Sequence, residues 1–129
     1  MQIKKLFFIC TLLILASSSQ SFAQNEKKSM LKHVVLFKFK ESASPENIQQ
    51  LVEAFKALKT SVKEVKAFEW GTNNSPENLN EGLTHCFQAT FASEADRDAY
   101  LVAPAHKAFV EQFAKPYVDK AVVVDYWVK

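Results

Sequence analysis

The sequence predicts an α+β domain of β-α-β-β-α-β order, with one four-stranded antiparallel sheet and its helices on one face. Three observations lead there. Four runs of residues alternate apolar and polar side chains, the period of two that half-buried strands require. Two other stretches repeat apolar residues at helical spacing behind a capping serine. The order in which these runs follow one another is that of the split βαβ, or ferredoxin-like, arrangement.

The N-terminus stands apart from this domain. Lys4 and Lys5 precede an apolar run from Leu6 to Ala16, too short to span a bilayer, and Ser21-Phe22-Ala23 offers small residues for cleavage before Gln24. Residues 1–23 are therefore expected to be a secretion signal peptide, making the protein secreted or periplasmic. Residues 24–30 read as a flexible polar leader, and 31–129 as the folded domain. Removing 23 of 129 residues leaves 106, enough for one core. It also removes two of 16 basic residues, leaving 14 against 14 acidic ones. That balance favours neither nucleic acid nor, once the signal is gone, a membrane. Cys10 leaves with the signal. Cys86 then stands alone, so packing rather than a disulfide must hold the fold, and Cys86 reads as a small buried hydrophobe.

The first strand spans Leu31 to Lys40, with His33, Val35, Phe37 and Phe39 on its core-facing side. Ser44-Pro45-Glu46 opens the first helix with a capping hydroxyl, a proline at the first helical position and an acid near the positive end of the dipole. Ile48, Leu51, Val52, Phe55 and Leu58 form its buried stripe, and it should end near Thr60. The second strand, Val65 to Gly71, carries Phe68 and Trp70 on one face. Asn73 to Gly82 is a long asparagine- and serine-bearing loop, of a length that often carries function. The third strand, Thr84 to Phe91, aligns His85, Phe87, Ala89 and Phe91. Ser93 caps a second helix that Pro104 interrupts near Ala103; a further segment runs from Ala105 to Phe113, and Pro116 stops it. Ala121 to Val128 closes the domain as a strand, alternating Val122, Val124 and Tyr126 with Val123, Asp125 and Trp127.

The chain has three histidines, and imidazole titrates nearest neutral pH. With the first and third strands central, adjacent and parallel, His33 and His85 should stand at the same end of the sheet. His106 would roof them from the broken helix, with Tyr100 in reach. His106, His33, His85 and Tyr100 are thus the candidate catalytic residues, and Phe37, Phe55, Phe87 and Trp70 the candidate ligand-binding ones. No carboxylate sits at a metal-ligand spacing, and Gly71 and Gly82 are too few for a phosphate loop, so no metal and no cofactor are expected. The second sheet face is read as Lys38, Gln88, Thr90, Asp125 and Trp127 mixed with Val34, Leu36, Cys86 and Val123, too apolar for solvent. Two such faces packed together would bury it, so a homodimer is expected as the partner state.

Several segments resemble the stress-responsive dimeric A/B barrel (Dabb) family. They are the opening Met30-Leu31-Lys32-His33-Val34-Val35-Leu36-Phe37-Lys38-Phe39-Lys40, then Gly82-Leu83-Thr84-His85, then Tyr100-Leu101-Val102-Ala103-Pro104-Ala105-His106, and the closing Val123-Val124-Asp125-Tyr126. The resemblance covers residues 30–129 and implies a ferredoxin-like protomer paired into a dimeric α/β barrel. It also implies a link to stress responses and, from a plant polyketide cyclase of the family, a histidine- and tyrosine-lined pocket for aldol-type ring closure. On the matching positions His106 would be the general base, while His33 or Tyr100 would hold the substrate oxygen. Ala103 departs from the family's Tyr-x-x-His-Pro-x-His pattern, and Phe55 adds an apolar ring. The expected function is an exported homodimer that binds a small apolar or aromatic ligand in a histidine-lined pocket. The alternatives are a cofactor-independent cyclase or lyase acting on polyketide-like ketones, a cofactor-free monooxygenase, and a structural stress-response protein without a ligand.

Overall fold

The computed structural model describes residues 29–129; the expected signal peptide and most of the leader lie outside them. Four strands, β1 (Leu31–Phe39), β2 (Ala67–Thr72), β3 (His85–Phe91) and β4 (Val118–Trp127), form one sheet in the order β2-β3-β1-β4. Between them lie α1 (Pro45–Ser61), α2 (Glu94–Val102) and α3 (Pro104–Phe109). A π-helical turn (Val110–Ala114) and the single turn α4 (Lys115–Tyr117) then lead into β4.

Each element starts where local chemistry tells it to. The Ser44 hydroxyl accepts from the Asn47 backbone N–H, and the Asn47 side chain accepts from the Ser44 N–H, so two orphan donors of α1 are satisfied reciprocally. Leu51, Val52, Phe55 and Leu58 of α1 then fall on one stripe and are buried. Ser93 caps α2 through the Asp96 N–H. Pro104 lacks the N–H that would continue α2 and pushes Ala103 into an extended backbone (ψ 138°), so the chain breaks and restarts as α3.

The alternation expected of β1 is observed: Leu31, His33, Val35 and Phe37 are buried, and the residues between them half-buried. The helices cover that side. Phe87, wholly buried at the centre of the sheet, packs its ring against Phe55 of α1 (centroids 4.6 Å apart) and Phe37 of β1 (5.5 Å). Phe109 of α3 adds to the cluster at 4.5 Å from Phe55.

Two expectations about pairing are corrected. β1 and β3 are central neighbours, but they run antiparallel, with Leu31 opposite Phe91 and Phe37 opposite His85. The reason is connectivity. The crossover through α1 leaves room for one strand between β1 and β2, and β3 fills it by turning back from β2, antiparallel to both. The second correction concerns β4. Its register sets Trp127, Asp125, Val123 and Ala121 opposite Leu31, His33, Val35 and Phe37. Opposed residues in an antiparallel pair share a face, so Val123, Asp125 and Trp127 stand on the helix side. The open face carries Val122, Val124 and Tyr126 instead, beside Val34, Leu36 and Cys86.

Replacing Phe87 by alanine removes the ring on which three elements converge. The expected cost is about 3–5 kcal/mol, read as a lowered urea midpoint at unchanged denaturant slope. A loss below about 1 kcal/mol would mean that the aromatic cluster is not what holds helix to sheet.

Candidate functional site

Between the β1/β4 edge and the segment from α2 to the π turn lies a cavity of about 470 Å³. One end is apolar, lined by Val35, Phe37, Phe55, Phe109, Val110 and Ala114. The other end is polar: His33, His106, Arg97, Asp98 and Asp125. The polar end is built by pairing. Because His33 of β1 stands opposite Asp125 of β4, its Nδ1 meets Asp125 Oδ1 at 2.7 Å. A carboxylate accepts, so Nδ1 carries the proton and Nε2 of a neutral ring is left as an acceptor. The other carboxylate oxygen, Oδ2, accepts from Arg97 Nη1 at 2.9 Å, and Arg97 is also engaged by Asp98 at 2.9 Å through Nη2. Arg97 is thus occupied on two sides. His33 is 6 % exposed, and its hydrogen bond is shielded more than a surface pair would be.

His106 is fixed differently. Leu101 lies in the last turn of α2, where carbonyls lack helical partners. The proline break lets α3 fold back so that His106 Nδ1 donates to the Leu101 carbonyl at 3.1 Å. A carbonyl only accepts, so the proton again sits on Nδ1 and Nε2 is free as a base. Burial holds the His106 imidazole below its usual pKa; the hydrogen bond to the Leu101 carbonyl opposes this and is outweighed. Tyr100, almost wholly buried, lies between the two histidines, its ring centroid 5.9 Å from His33 and 4.5 Å from His106. Its hydroxyl has no hydrogen-bond partner among the described residues, and burial pushes its pKa up, so it acts as a neutral phenol. It lies beside the cavity wall rather than in it.

Three of the four expected catalytic residues therefore converge: His33, Tyr100 and His106. His85 does not. Antiparallel pairing puts it opposite Phe37, four residues along β1 from His33, at the other end of the sheet. There it packs on Phe39 (5.0 Å) and stacks on Trp70 (6.1 Å), its Nδ1 3.0 Å from the Thr84 hydroxyl, and burial lowers its pKa. Among the expected ligand-binding residues, Phe37 and Phe55 line the cavity; Phe87 lies behind them in the core, and Trp70 borders a separate groove along α1. Arg97 and Asp125 were not among the sequence candidates. Asp125 was within reach, since the correct β4 register alone would have placed it against His33. Among the described residues no group of three or more histidine, cysteine or carboxylate side chains is arranged to hold a metal.

The lowered imidazoles give a pH dependence with a definite sign. Above the ordinary value of 6.5, neither the folded nor the unfolded chain protonates His85 or His106, and they contribute nothing. As pH falls below 6.5 the unfolded chain binds protons first, so stability declines, levelling once pH passes below the lowered folded values. Chemical denaturation from pH 7.5 to 5 should therefore show a decline that is shallower in His106→Asn; an unchanged slope would mean that His106 is not desolvated as described.

The stress responsive A/B barrel domain family matches residues 31–128. A stress-response A/B barrel domain-containing protein of Arabidopsis thaliana, HS1, is 41% identical over 101 residues, covering 78% of this chain and 92% of that protein. Olivetolic acid cyclase of Cannabis sativa is 26% identical over 96 residues, covering 74% and 94%. The solved structure of a hydroxynitrile lyase from Passiflora edulis superposes with a TM-score of 0.73 at 29% identity, covering 79% of this chain and 95% of that one. With its ferredoxin-like sheet and a family match across almost the whole described domain, the chain belongs to the stress-responsive A/B barrel (Dabb) family.

Proposed function

We propose that the domain binds a small, uncharged, amphipathic carbonyl compound in the His33–His106 cavity and transfers protons on it without a cofactor. The observation that carries this is the shared tautomer of the two imidazoles. Each spends Nδ1–H on the protein and has Nε2 left to accept a proton. A base held neutral near pH 7 in a partly dry site is suited to general base catalysis. In the proposed step His106 Nε2 takes a proton from the carbon beside a carbonyl. The electron pair of that C–H bond passes into the enolate, whose carbon bonds to a second carbonyl carbon. The resulting alkoxide then recovers the proton from the His106 imidazolium. His33 Nε2 accepts from a ligand hydroxyl and orients it, while Phe37, Phe55 and Phe109 hold the apolar body. That one relative is a cyclase and another a lyase supports chemistry of this class.

We further infer that two copies pack through the open sheet face, where Val124 and Tyr126 are 51% and 47% exposed, and that residues 1–23 direct export. A mature N-terminus at Gln24, read by protein sequencing after expression in an exporting host, is the result expected for the second inference. An intact Met1 would refute it.

The chemistry is tested by assaying the purified protein against a panel of polyketide-like di- and triketones and against aromatic aldehydes with cyanide. His106→Ala should lower turnover about 10²–10⁴-fold with little change in KM. Activity equal to wild type in that variant would remove His106 as the base. A panel that raises the melting temperature without turnover would favour the second reading, a binding protein, for which the predominantly apolar lining speaks.

A further inference from the structure

The loop from Asn73 to Leu83 is long for a connection between paired strands, and it is built rather than slack. Asn73 N–H donates to the Thr84 carbonyl at 2.8 Å, Leu83 N–H to the Asn80 carbonyl at 2.8 Å, and the Asn80 side chain to the Leu83 carbonyl at 3.0 Å. Lys120 of β4 pins Glu81 at 2.9 Å. Asn78 (φ 57°), Glu81 (φ 48°) and Gly82 (φ 79°) all adopt the left-handed backbone. Asparagine and glycine tolerate it, but glutamate does so only under compulsion. At Gly82 a β-carbon would approach the Lys38 side chain to 3.1 Å, so the loop lies directly on the end of β1. The product of this construction is an apolar tip held in water: Leu79 is 78% exposed.

The loop also stands over the open face. Together with Leu36 and Cys86 of that face it encloses a concavity of about 500 Å³. Anything laid on the sheet must meet it, since packed sheets sit only about 10 Å apart. Area points the same way. Four strands about 4.8 Å apart, of nine, six, seven and ten residues at roughly 3.3 Å per residue, offer a projected footprint of roughly 500 Å². A standard stable interface takes about 800 Å² from each partner. The strands alone make a small platform, and the loop is the element adjoining it that can add contact area.

We propose that the loop 73–83 is a docking arm for a second copy of this chain, with Leu79 entering the partner's surface and the loop wall setting how one sheet is rotated on the other. The proposal rests on the homodimer reading above and specifies its contact. It is tested by sedimentation velocity over a concentration series on the wild-type protein, Leu79→Glu, Leu79→Met and Val124→Glu. Leu79 touches water over most of its surface, so its replacement leaves the fold intact, which an unchanged melting curve verifies. The expected result is a wild-type dimer whose Kd rises at least tenfold in Leu79→Glu and is retained in Leu79→Met, with Val124→Glu dissociating it through the sheet. A wild-type dimer with an unchanged Kd in Leu79→Glu overturns the docking arm and leaves the homodimer standing. A wild-type monomer at every concentration overturns both.

Discussion

The register between β1 and β4 is the constraint on which the site depends. It sets His33 against Asp125 and closes the sheet edge beneath the cavity. A slip of one residue would turn Asp125 to the open face and bring Val124 to the helix side, leaving His33 without its acceptor. The same register aligns Ala121 and Val123 with the cavity wall, so the polar end and part of the apolar end are products of one pairing. The register is held by more than the His33–Asp125 hydrogen bond. Eight successive backbone pairs, from Leu31 opposite Trp127 to Lys38 opposite Lys120, keep one unbroken register on either side of it. The shift between Lys38 and Phe39 then absorbs the mismatch beyond them, outside the stretch that matters.

The other half of the site comes from a broken helix. Had α2 continued through residue 104, the Leu101 carbonyl would accept from a helical N–H, and His106 would have no reason to turn its Nδ1 there. Proline removes the continuation, the orphaned carbonyl becomes an acceptor, and the imidazole two residues beyond Pro104 caps it. The π turn that follows α3 puts Val110 and Ala114 into the apolar lining, a use such turns often have at functional sites. Two unrelated events, a long-range strand pairing and a local proline break, thus leave two imidazoles in the same tautomer at one end of one cavity.

The sequence made the elements legible because their signals are local. Ser44-Pro45, Ser93 and Pro104 act within one helical turn, and the alternation in β1 reports burial parity residue by residue. What it could not carry was direction and register. Alternation says which residues of a strand share a face; it is blind to which way the neighbour runs and to which partner residue lies opposite. Hence His33 and His85 were rightly given the same face and wrongly the same end, and Asp125 was assigned to the open side. Arg97 was invisible for a related reason, since its partner lies on a strand 28 residues away and nothing in the local pattern announces the contact.

The charges at the polar end bear on the class of molecule proposed for it. Asp98 and Asp125 bring two negative charges, Arg97 brings one positive charge already held by both, and burial keeps His106 neutral. No cation among these groups is free to meet an anionic ligand, and Asp98 and Asp125 repel one. A carboxylate entering here would lose hydration without gaining a partner, which costs several kcal/mol per ion. A hydroxyl or carbonyl has far less hydration to lose, and a hydroxyl can donate to the imidazole Nε2 atoms. The aromatic end adds about 25 cal/mol for each Å² of apolar surface it covers, which is why the ligand proposed above has an uncharged head joined to an apolar body.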